Sequence, residues 1–120
     1  MLNRVSPRLW SVLFWSALVF AFVMAVLPHP PEVPGNPSDK VQHMLAFSVL
    51  SVLGSFAFPR ASLIRIGICL SAFGAFIEIV QAIPFLHRDC DVMDWIADTA
   101  AILVAMAAMS LVRRRIAFRN

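Results

Sequence analysis

Charged residues are scarce in this chain of 120 residues. They make up 14% of it, against about a quarter in an average soluble domain, whereas 60% of the residues are hydrophobic. The shortage argues against an ordinary soluble domain, and the apolar excess, with a mean hydropathy of +0.80, indicates a membrane domain instead. The length allows one domain, which we expect to span residues 1–120.

Cysteine-based sites and nucleic-acid patches are also missing. Cys69 lies in an apolar run and Cys90 in a polar segment, so they are expected at different membrane depths. A disulfide needs Cα atoms within about 7 Å, so we expect no bridge, and no CxxC or Cys/His spacing suggests zinc. The net charge of +3 does not indicate nucleic acid, because the basic residues collect at the ends of apolar segments.

Four apolar stretches are present, each near the ~20 residues that a helix needs to cross a membrane. The first carries no charge and exceeds the core of a typical signal peptide, so we expect it to be retained. Short segments that all contain proline connect the stretches. We therefore predict an all-α, polytopic membrane protein with short loops and four transmembrane helices, at about 9–27, 40–58, 62–83 and 91–112.

The basic residues predict the orientation of these helices. Arginines stand before the first helix, between the second and third, and after the fourth, and four spans would bring these places to one side: Arg4, Arg8, Arg60, Arg65, Arg113, Arg114, Arg115 and Arg119. The positive-inside rule assigns that side to the cytoplasm. Both termini are therefore expected in the cytoplasm, with Lys40, Arg88 and the acids on the other side.

Polar side chains interrupt three of the predicted helices near their extracytoplasmic ends. With a rise of ~1.5 Å per residue, Glu78 and Asp98 lie ~10 Å from the ends of their helices and His43 lies ~6 Å into the second. Asp91, Asp94 and Asp98 are spaced i, i+3 and i+7, which puts them on one face of a helix. We expect the polar faces to form one pocket open to the extracytoplasmic surface.

Some of these residues have structural explanations. Asp39 and Asp91 fit helix N-caps, and Gln81 fits a hydrogen bond between helices. Glu78 and Asp98 are harder to explain in this way, because an ionised and unpaired carboxylate is unfavourable at that depth. Ionisable residues inside a membrane segment indicate function by default, so we predict a functional pocket.

The polar residues resemble the pattern of the VanZ-like family. In that family an Asp-Lys-x-x-His opens one helix, a Glu-x-x-Gln lies near the end of the next, and an Arg is followed by acids three and six positions later and a polar residue at ten. The segments "DKVQH" (39–43), "GAFIEIVQ" (74–81) and "RDCDVMDWIADT" (88–99) match it, within about residues 36–105. The resemblance assigns nine ligand-binding residues: Asp39, Lys40, His43, Glu78, Gln81, Arg88, Asp91, Asp94 and Asp98.

The resemblance implies a small multi-pass protein of the bacterial cytoplasmic membrane. The family takes its name from a member linked to resistance against teicoplanin, a lipoglycopeptide that acts outside the membrane, and most members have no settled biochemistry. We therefore predict a role in antibiotic resistance or cell-envelope homeostasis, through binding of a lipid head group or an amphiphilic ligand such as a lipoglycopeptide. Membrane lipids are the expected partners. The family usually has asparagine at the position of Asp98.

Two other functions stay open. An intramembrane enzyme acting on a lipid-linked substrate would use His43, Glu78 and Asp94 for acid–base chemistry, and Asp91, Asp94 and Asp98 as oxygen ligands of Mg²⁺, Ca²⁺ or Mn²⁺. No nucleophile motif supports it, since the serines of the second helix fit helix packing, so binding without catalysis is favoured. A proton- or ion-coupled transport element is less favoured, because the cytoplasmic half has no matching acids. The sequence does not determine the oligomeric state.

Overall fold

The structure, a computed structural model, describes residues 6–27, 39–86 and 90–119. Within these ranges the chain forms a short 3-10 turn, Pro84–Leu86, and four α-helices: α1 (Pro7–Val26), α2 (Asp39–Ala57), α3 (Leu63–Gln81) and α4 (Val92–Arg119). Each α-helix is long and apolar enough to cross a membrane. The all-α class and the four candidate spans are therefore confirmed.

Serine caps begin α1 and α3. The side-chain oxygens of Ser6 and Ser62 each accept a hydrogen bond at 3.2 Å, from the backbone N–H groups of Leu9 and Arg65. Each bond satisfies one of the N–H groups that the first turn of a helix leaves free. Pro7 follows Ser6 at the start of α1, where its missing N–H is not needed. This start signal explains why α1 begins two residues before the predicted position 9.

The ends of α3 and α4 differ from those predicted. α3 ends at Gln81 rather than at 83, because Pro84 disfavours a helical conformation in the residue before it. α4 continues to Arg119 rather than ending at 112, since the apolar pattern stops there but no proline or glycine breaks the helix. Its 28 residues measure about 42 Å, more than the ~30 Å of a membrane's hydrocarbon core.

The four helices alternate in direction. The ends of α1 and α3 meet where Gln81 Nε2 donates to the backbone oxygen of Ala25 at 2.8 Å. The end of α3 meets the start of α4 where the Asp91 N–H donates to Glu78 Oε2 at 3.0 Å. The start of α2 lies there too, since Lys40 Nζ is 2.9 Å from Asp91 Oδ2. We call this the acidic end of the bundle.

The opposite end, which we call the basic end, carries the arginines of the α2–α3 link and of the last turns of α4. There the Arg113 guanidinium donates to the backbone oxygens of Ser55, Phe58 and Ala61, at 3.0, 3.2 and 2.7 Å. A helix leaves its last carbonyls unpaired, and Pro59 has no N–H to offer to Ser55. The fold thus places these arginines and the acidic residues at opposite ends, as the sequence predicts.

Apolar packing fills the centre of the bundle. The apolar side chains that are almost fully buried come from α2, α3 and α4: Phe47, Leu50, Ile77 and Ile102. α1 is attached by aromatic contacts, since Trp10 stacks on Phe56 with ring centroids 4.7 Å apart. A Cβ at Gly54 would lie 3.2 Å from the Phe14 ring, so this glycine allows α1 to approach α2 closely.

The outside of the bundle is apolar as well. Only 11% to 33% of the residues in each candidate span are buried. Large side chains such as Ile64, Ile79 and Val104 are more than two-thirds exposed. Soluble proteins rarely expose apolar surface so extensively. The surface therefore fits a multi-pass membrane protein surrounded by lipid.

Candidate functional site in the acidic end

Lys40 joins α2 to α4 in the acidic end. Its Nζ lies 2.9 Å from Asp91 Oδ2 and 3.3 Å from Asp94 Oδ1. Asp91 also accepts a hydrogen bond from the Met93 N–H at 2.9 Å, so it caps α4 as predicted. The hydrogen bonds from Lys40 and Met93 hold the pKa of Asp91 below its ordinary value.

His43 and Asp98 form a second pair, one turn deeper. Asp98 is fully buried, and His43 Nδ1 lies 3.3 Å from its Oδ1 and 3.4 Å from its Oδ2. Hydrogen-bond geometry is met with Oδ2, whereas Oδ1 has no hydrogen-bond partner among the described residues. Gly74 leaves room for the carboxylate, since a Cβ there would lie 3.2 Å from Asp98 Oδ2. The other ring nitrogen of His43, Nε2, is not used by this pair.

Glu78 has one paired oxygen and one unpaired oxygen. Oε2 accepts from the Asp91 N–H at 3.0 Å. Oε1 is buried and has no hydrogen-bond partner within the described ranges, and the residue is only 6% exposed. Buried polar atoms are almost always paired, so this oxygen requires an explanation such as a bound water or ion.

The Cys90 thiol lies close to Glu78 without supplying that partner. Partial desolvation, the negative charge of Glu78 and a hydrogen bond with its side chain raise the pKa of Cys90. A thiol is a weak donor, and it makes no hydrogen bond with Glu78 Oε1. Cys90 and Cys69 are both free, as predicted.

The fold brings together six of the nine predicted ligand-binding residues, which we call the polar cluster: Lys40, His43, Glu78, Asp91, Asp94 and Asp98. Gln81 is directed elsewhere, because its amide donates to Ala25 of α1, which fits the alternative of a bond between helices. Arg88 and the side chain of Asp39 lie outside the described residues. α2 begins at Asp39 itself.

A candidate metal group lies inside the polar cluster. Single ligand atoms of His43, Glu78 and Asp94 lie within 4.8 Å of one another. This is not the predicted set of Asp91, Asp94 and Asp98. Those three share a face of α4, but Asp91 turns to Lys40 and Asp98 to His43, whereas Asp94 faces the other two helices. The imidazole of His43 suits a transition-metal ion such as Zn²⁺, whereas the carboxylates also suit Mn²⁺.

Some features of the site were missed by the sequence reasoning. Gly74 was not predicted to belong to the site, although a Cβ there would lie 3.2 Å from Asp98 Oδ2. The i, i+3, i+7 spacing of the aspartates gave their common face, but the partner of each depends on the register between helices. The spacing of Glu78 and Gln81 puts both on one face of α3, but it does not give the partner of Gln81, which is Ala25 of α1.

The serines of α2 do not contribute to this site. Ser48, Ser51 and Ser55 each donate to the backbone oxygen four residues earlier, at 2.7 Å. Their hydroxyls are therefore bound within the helix, in line with the packing role predicted for them.

Comparisons of the chain with protein-family models, with curated proteins and with solved structures find no match.

Proposed function

We propose that the chain is a multi-pass protein of the bacterial cytoplasmic membrane, with both termini in the cytoplasm and the polar cluster facing outward. The four apolar helices and the apolar outer surface support insertion in a bilayer. The arginines of the basic end support the orientation, because cytoplasmic loops carry the excess of Lys and Arg. The polar cluster would then lie in the outer half of the membrane, below the outer head groups.

The function that the geometry supports best is binding of a divalent cation, and through it of an anionic head group. The observation that supports this proposal most is the buried, unpaired Oε1 of Glu78, beside His43 and Asp94. An ion held by these three side chains would satisfy that oxygen. Its open coordination positions would accept the phosphate or carboxylate of an envelope amphiphile.

The negative charge of the polar cluster favours binding of the cation before binding of the anionic head group. The polar cluster holds four carboxylates and one ammonium, so when fully ionised its formal charge is −3 with neutral His43 and −2 with protonated His43. Lys40 is already engaged by Asp91 and Asp94. An anionic ligand would be repelled by such a cluster, whereas a bound divalent cation reduces the negative charge and supplies a site for the anion.

The VanZ-like resemblance supports an envelope ligand. The polar cluster contains six of the residues that the resemblance assigns, and the family's named member is linked to resistance against an amphiphile outside the membrane. On this basis the ligand class is a phospholipid, a lipid-linked cell-wall intermediate or a lipoglycopeptide of the teicoplanin type. Asp98, where the family has asparagine, would orient His43 toward the ion through its contact with Nδ1.

A metal-dependent hydrolase acting on a lipid-linked substrate is the second candidate. One observation favours it: the three residues of the metal group, His43, Glu78 and Asp94, are also the three with acid–base potential. A water bound to the ion would replace the missing side-chain nucleophile. Release of inorganic phosphate from a lipid phosphate, dependent on added metal and lost in Glu78→Gln, would identify this activity.

The deciding experiment is Mn²⁺ titration of the purified protein in lipid nanodiscs, followed by electron paramagnetic resonance. We expect a single site whose affinity falls at least about 100-fold in Glu78→Gln, since a direct ligand contributes more than the 10–100-fold of a second-shell partner. Gln81→Met is the matched control, because Gln81 is buried on the same helix one turn away. Equal binding by wild type and Glu78→Gln would refute the cation site.

The head-group step is tested with a soluble short-chain lipid phosphate. Binding should require the cation and disappear on addition of a chelator. Binding that is unchanged by the chelator would mean that the amphiphile is held by Lys40 and its neighbours without an ion.

A further inference from the structure

A groove runs between α3 and α4 on the outside of the bundle, away from the polar cluster. Its volume is about 740 Å³. The walls are mainly apolar, and the small residues Gly67 and Ala107 leave space for a ligand to enter. At the end of the groove away from the arginines, the hydroxyls of Ser71 and Thr99 bond to each other at 3.0 Å, so each already has one polar partner. The groove therefore fits a hydrocarbon chain.

The length of the groove matches one leaflet of a bilayer. On α3 it extends from Ser62 to Ser71, about 14 Å, and on α4 its apolar part extends from Thr99 to Ser110, about 16 Å. Half of the hydrocarbon core of a membrane is about 15 Å. An acyl chain that enters from the basic end would reach Ser71 and Thr99 at the middle of the bilayer.

The mouth of the groove is positively charged. Arg113 and Arg114 line it, and Arg113 is held by backbone oxygens of the last turn of α2 and of the link after it. Arg114 is exposed, and the ion pairs formed among the described residues do not involve it. A guanidinium at the end of a hydrocarbon groove complements a phosphate at the end of an acyl chain.

We propose that this groove binds one acyl chain of an anionic phospholipid, with the lipid phosphate at Arg114. The lipid comes from the leaflet at the basic end, opposite the polar cluster, and belongs to a site separate from the cation site. The inference rests on the proposed insertion in a membrane but not on the cation or its ligand.

A second copy of the chain fits the groove less well than a lipid does. Two copies inserted in the same orientation would bring their basic ends together when these faces meet. The exposed arginines of the two copies would then repel each other at the membrane surface. An anionic lipid would instead neutralise the positive charge of these arginines, whereas a second copy would double it.

Native mass spectrometry tests the proposal on protein reconstituted in vesicles of equal parts phosphatidylglycerol and phosphatidylcholine and then released in mild detergent. Wild type should retain phosphatidylglycerol preferentially. Arg114→Gln should lower this preference about fivefold, the effect of one basic residue at a membrane surface. Ala107→Phe should reduce retention of both lipids, because it fills the groove. Arg115→Gln and Ala108→Phe are the controls, since both positions are exposed but lie outside the groove.

Equal losses in the control variants would overturn the proposal, because they would indicate general surface charge or general disturbance. Unchanged retention in Ala107→Phe would overturn it too. Disulfide cross-linking of Ala107→Cys into dimers, in a chain lacking Cys69 and Cys90, would assign the groove to a second copy. Failure of these tests leaves Mn²⁺ binding at Glu78 intact, so the two proposals are distinguished.

Discussion

Replacement of Asp98 by asparagine is expected to weaken both the fold and the cation site. The change keeps the shape of the side chain and removes its charge. Asp98 is fully buried, and its hydrogen-bonding contact among the described residues is with His43 Nδ1. The asparagine oxygen can still accept a hydrogen bond from this nitrogen. Its NH₂ group, however, is a donor and requires an acceptor at a position where the carboxylate oxygen required none.

The expected loss of stability follows from two effects. A hydrogen bond to a charged group contributes about 1.5–3 kcal/mol and a neutral one about 0.5–1.5 kcal/mol, so loss of the charge lowers the free energy of unfolding by about 1 kcal/mol. An unsatisfied buried NH₂ group lowers it by a further ~1–3 kcal/mol. The region is crowded, since a Cβ at Gly74 would lie within 3.5 Å of Asp98, Phe47 and Trp95. The sum is about 2–4 kcal/mol.

The effect on the cation site is separate from this loss. Carboxylates that orient a metal-binding histidine typically account for a 10–100-fold change in metal affinity. We therefore expect Asp98→Asn to bind Mn²⁺ about 10–100-fold more weakly, provided that the variant is folded. Unfolding in increasing SDS within mixed micelles measures the first effect, and Mn²⁺ titration of the folded protein measures the second.

Ser51→Ala is the control for both measurements. Ser51 is as deeply buried as Asp98, but its hydroxyl donates to the Phe47 backbone oxygen of its own helix at 2.7 Å. It should leave Mn²⁺ affinity unchanged. A folded Asp98→Asn protein with the affinity of wild type would refute the idea that Asp98 positions His43 for an ion. A stability equal to that of wild type would show that the His43–Asp98 contact contributes little to the fold.

Two further predictions concern the ends of the bundle. Arg113→Met should lower the free energy of unfolding by about 3–5 kcal/mol, because it removes the hydrogen bonds to the backbone oxygens of Ser55, Phe58 and Ala61, whereas exposed Arg115→Met should change it by less than about 0.5 kcal/mol. Asp91→Asn should lower stability near neutral pH. Lys40 depresses the pKa of Asp91 below its ordinary 3.8, so the stability that Asp91 contributes is present above that value and is lost as the pH falls through the lower folded-state pKa. SDS unfolding of wild type and Asp91→Asn should therefore give converging stabilities below about pH 4; a constant difference would contradict the role of the ion pair.

Much of the fold could be predicted from the sequence, because hydrophobic length and proline are local signals. The four helices, the prolines between them and the separation of basic from acidic ends all follow from residues read in order. The end of α4 could not be predicted in this way. Arg113–Arg115 interrupt the apolar pattern that marks a membrane span, but a helix can continue through arginines, and this one does.

For the candidate site, the sequence predicts the depth of each polar residue and the helix face on which it lies, but not which residues pair with one another. Counting residues along each helix correctly brought His43, Glu78 and Asp98 to one end. The partners depend on the rotation and register of neighbouring helices, which residue spacing within one helix does not contain. Asp94 therefore joins His43 and Glu78 in the metal group, and Gln81 reaches Ala25 of α1. Both outcomes are set by contacts between elements far apart in the chain.

The contact of Arg113 with the end of α2 and the link that follows it also has a consequence for the order of biosynthesis. The guanidinium and the Phe58 oxygen that it binds are 55 residues apart. A ribosome adds about 5–20 residues per second, so Arg113 is synthesised roughly 3–11 s after Phe58. During that interval the first three helices can enter the membrane, but the second lacks its final hydrogen bonds. The bundle is therefore completed from its last helix, and a nascent chain stalled before Arg113 should be open to proteases at the α2–α3 link.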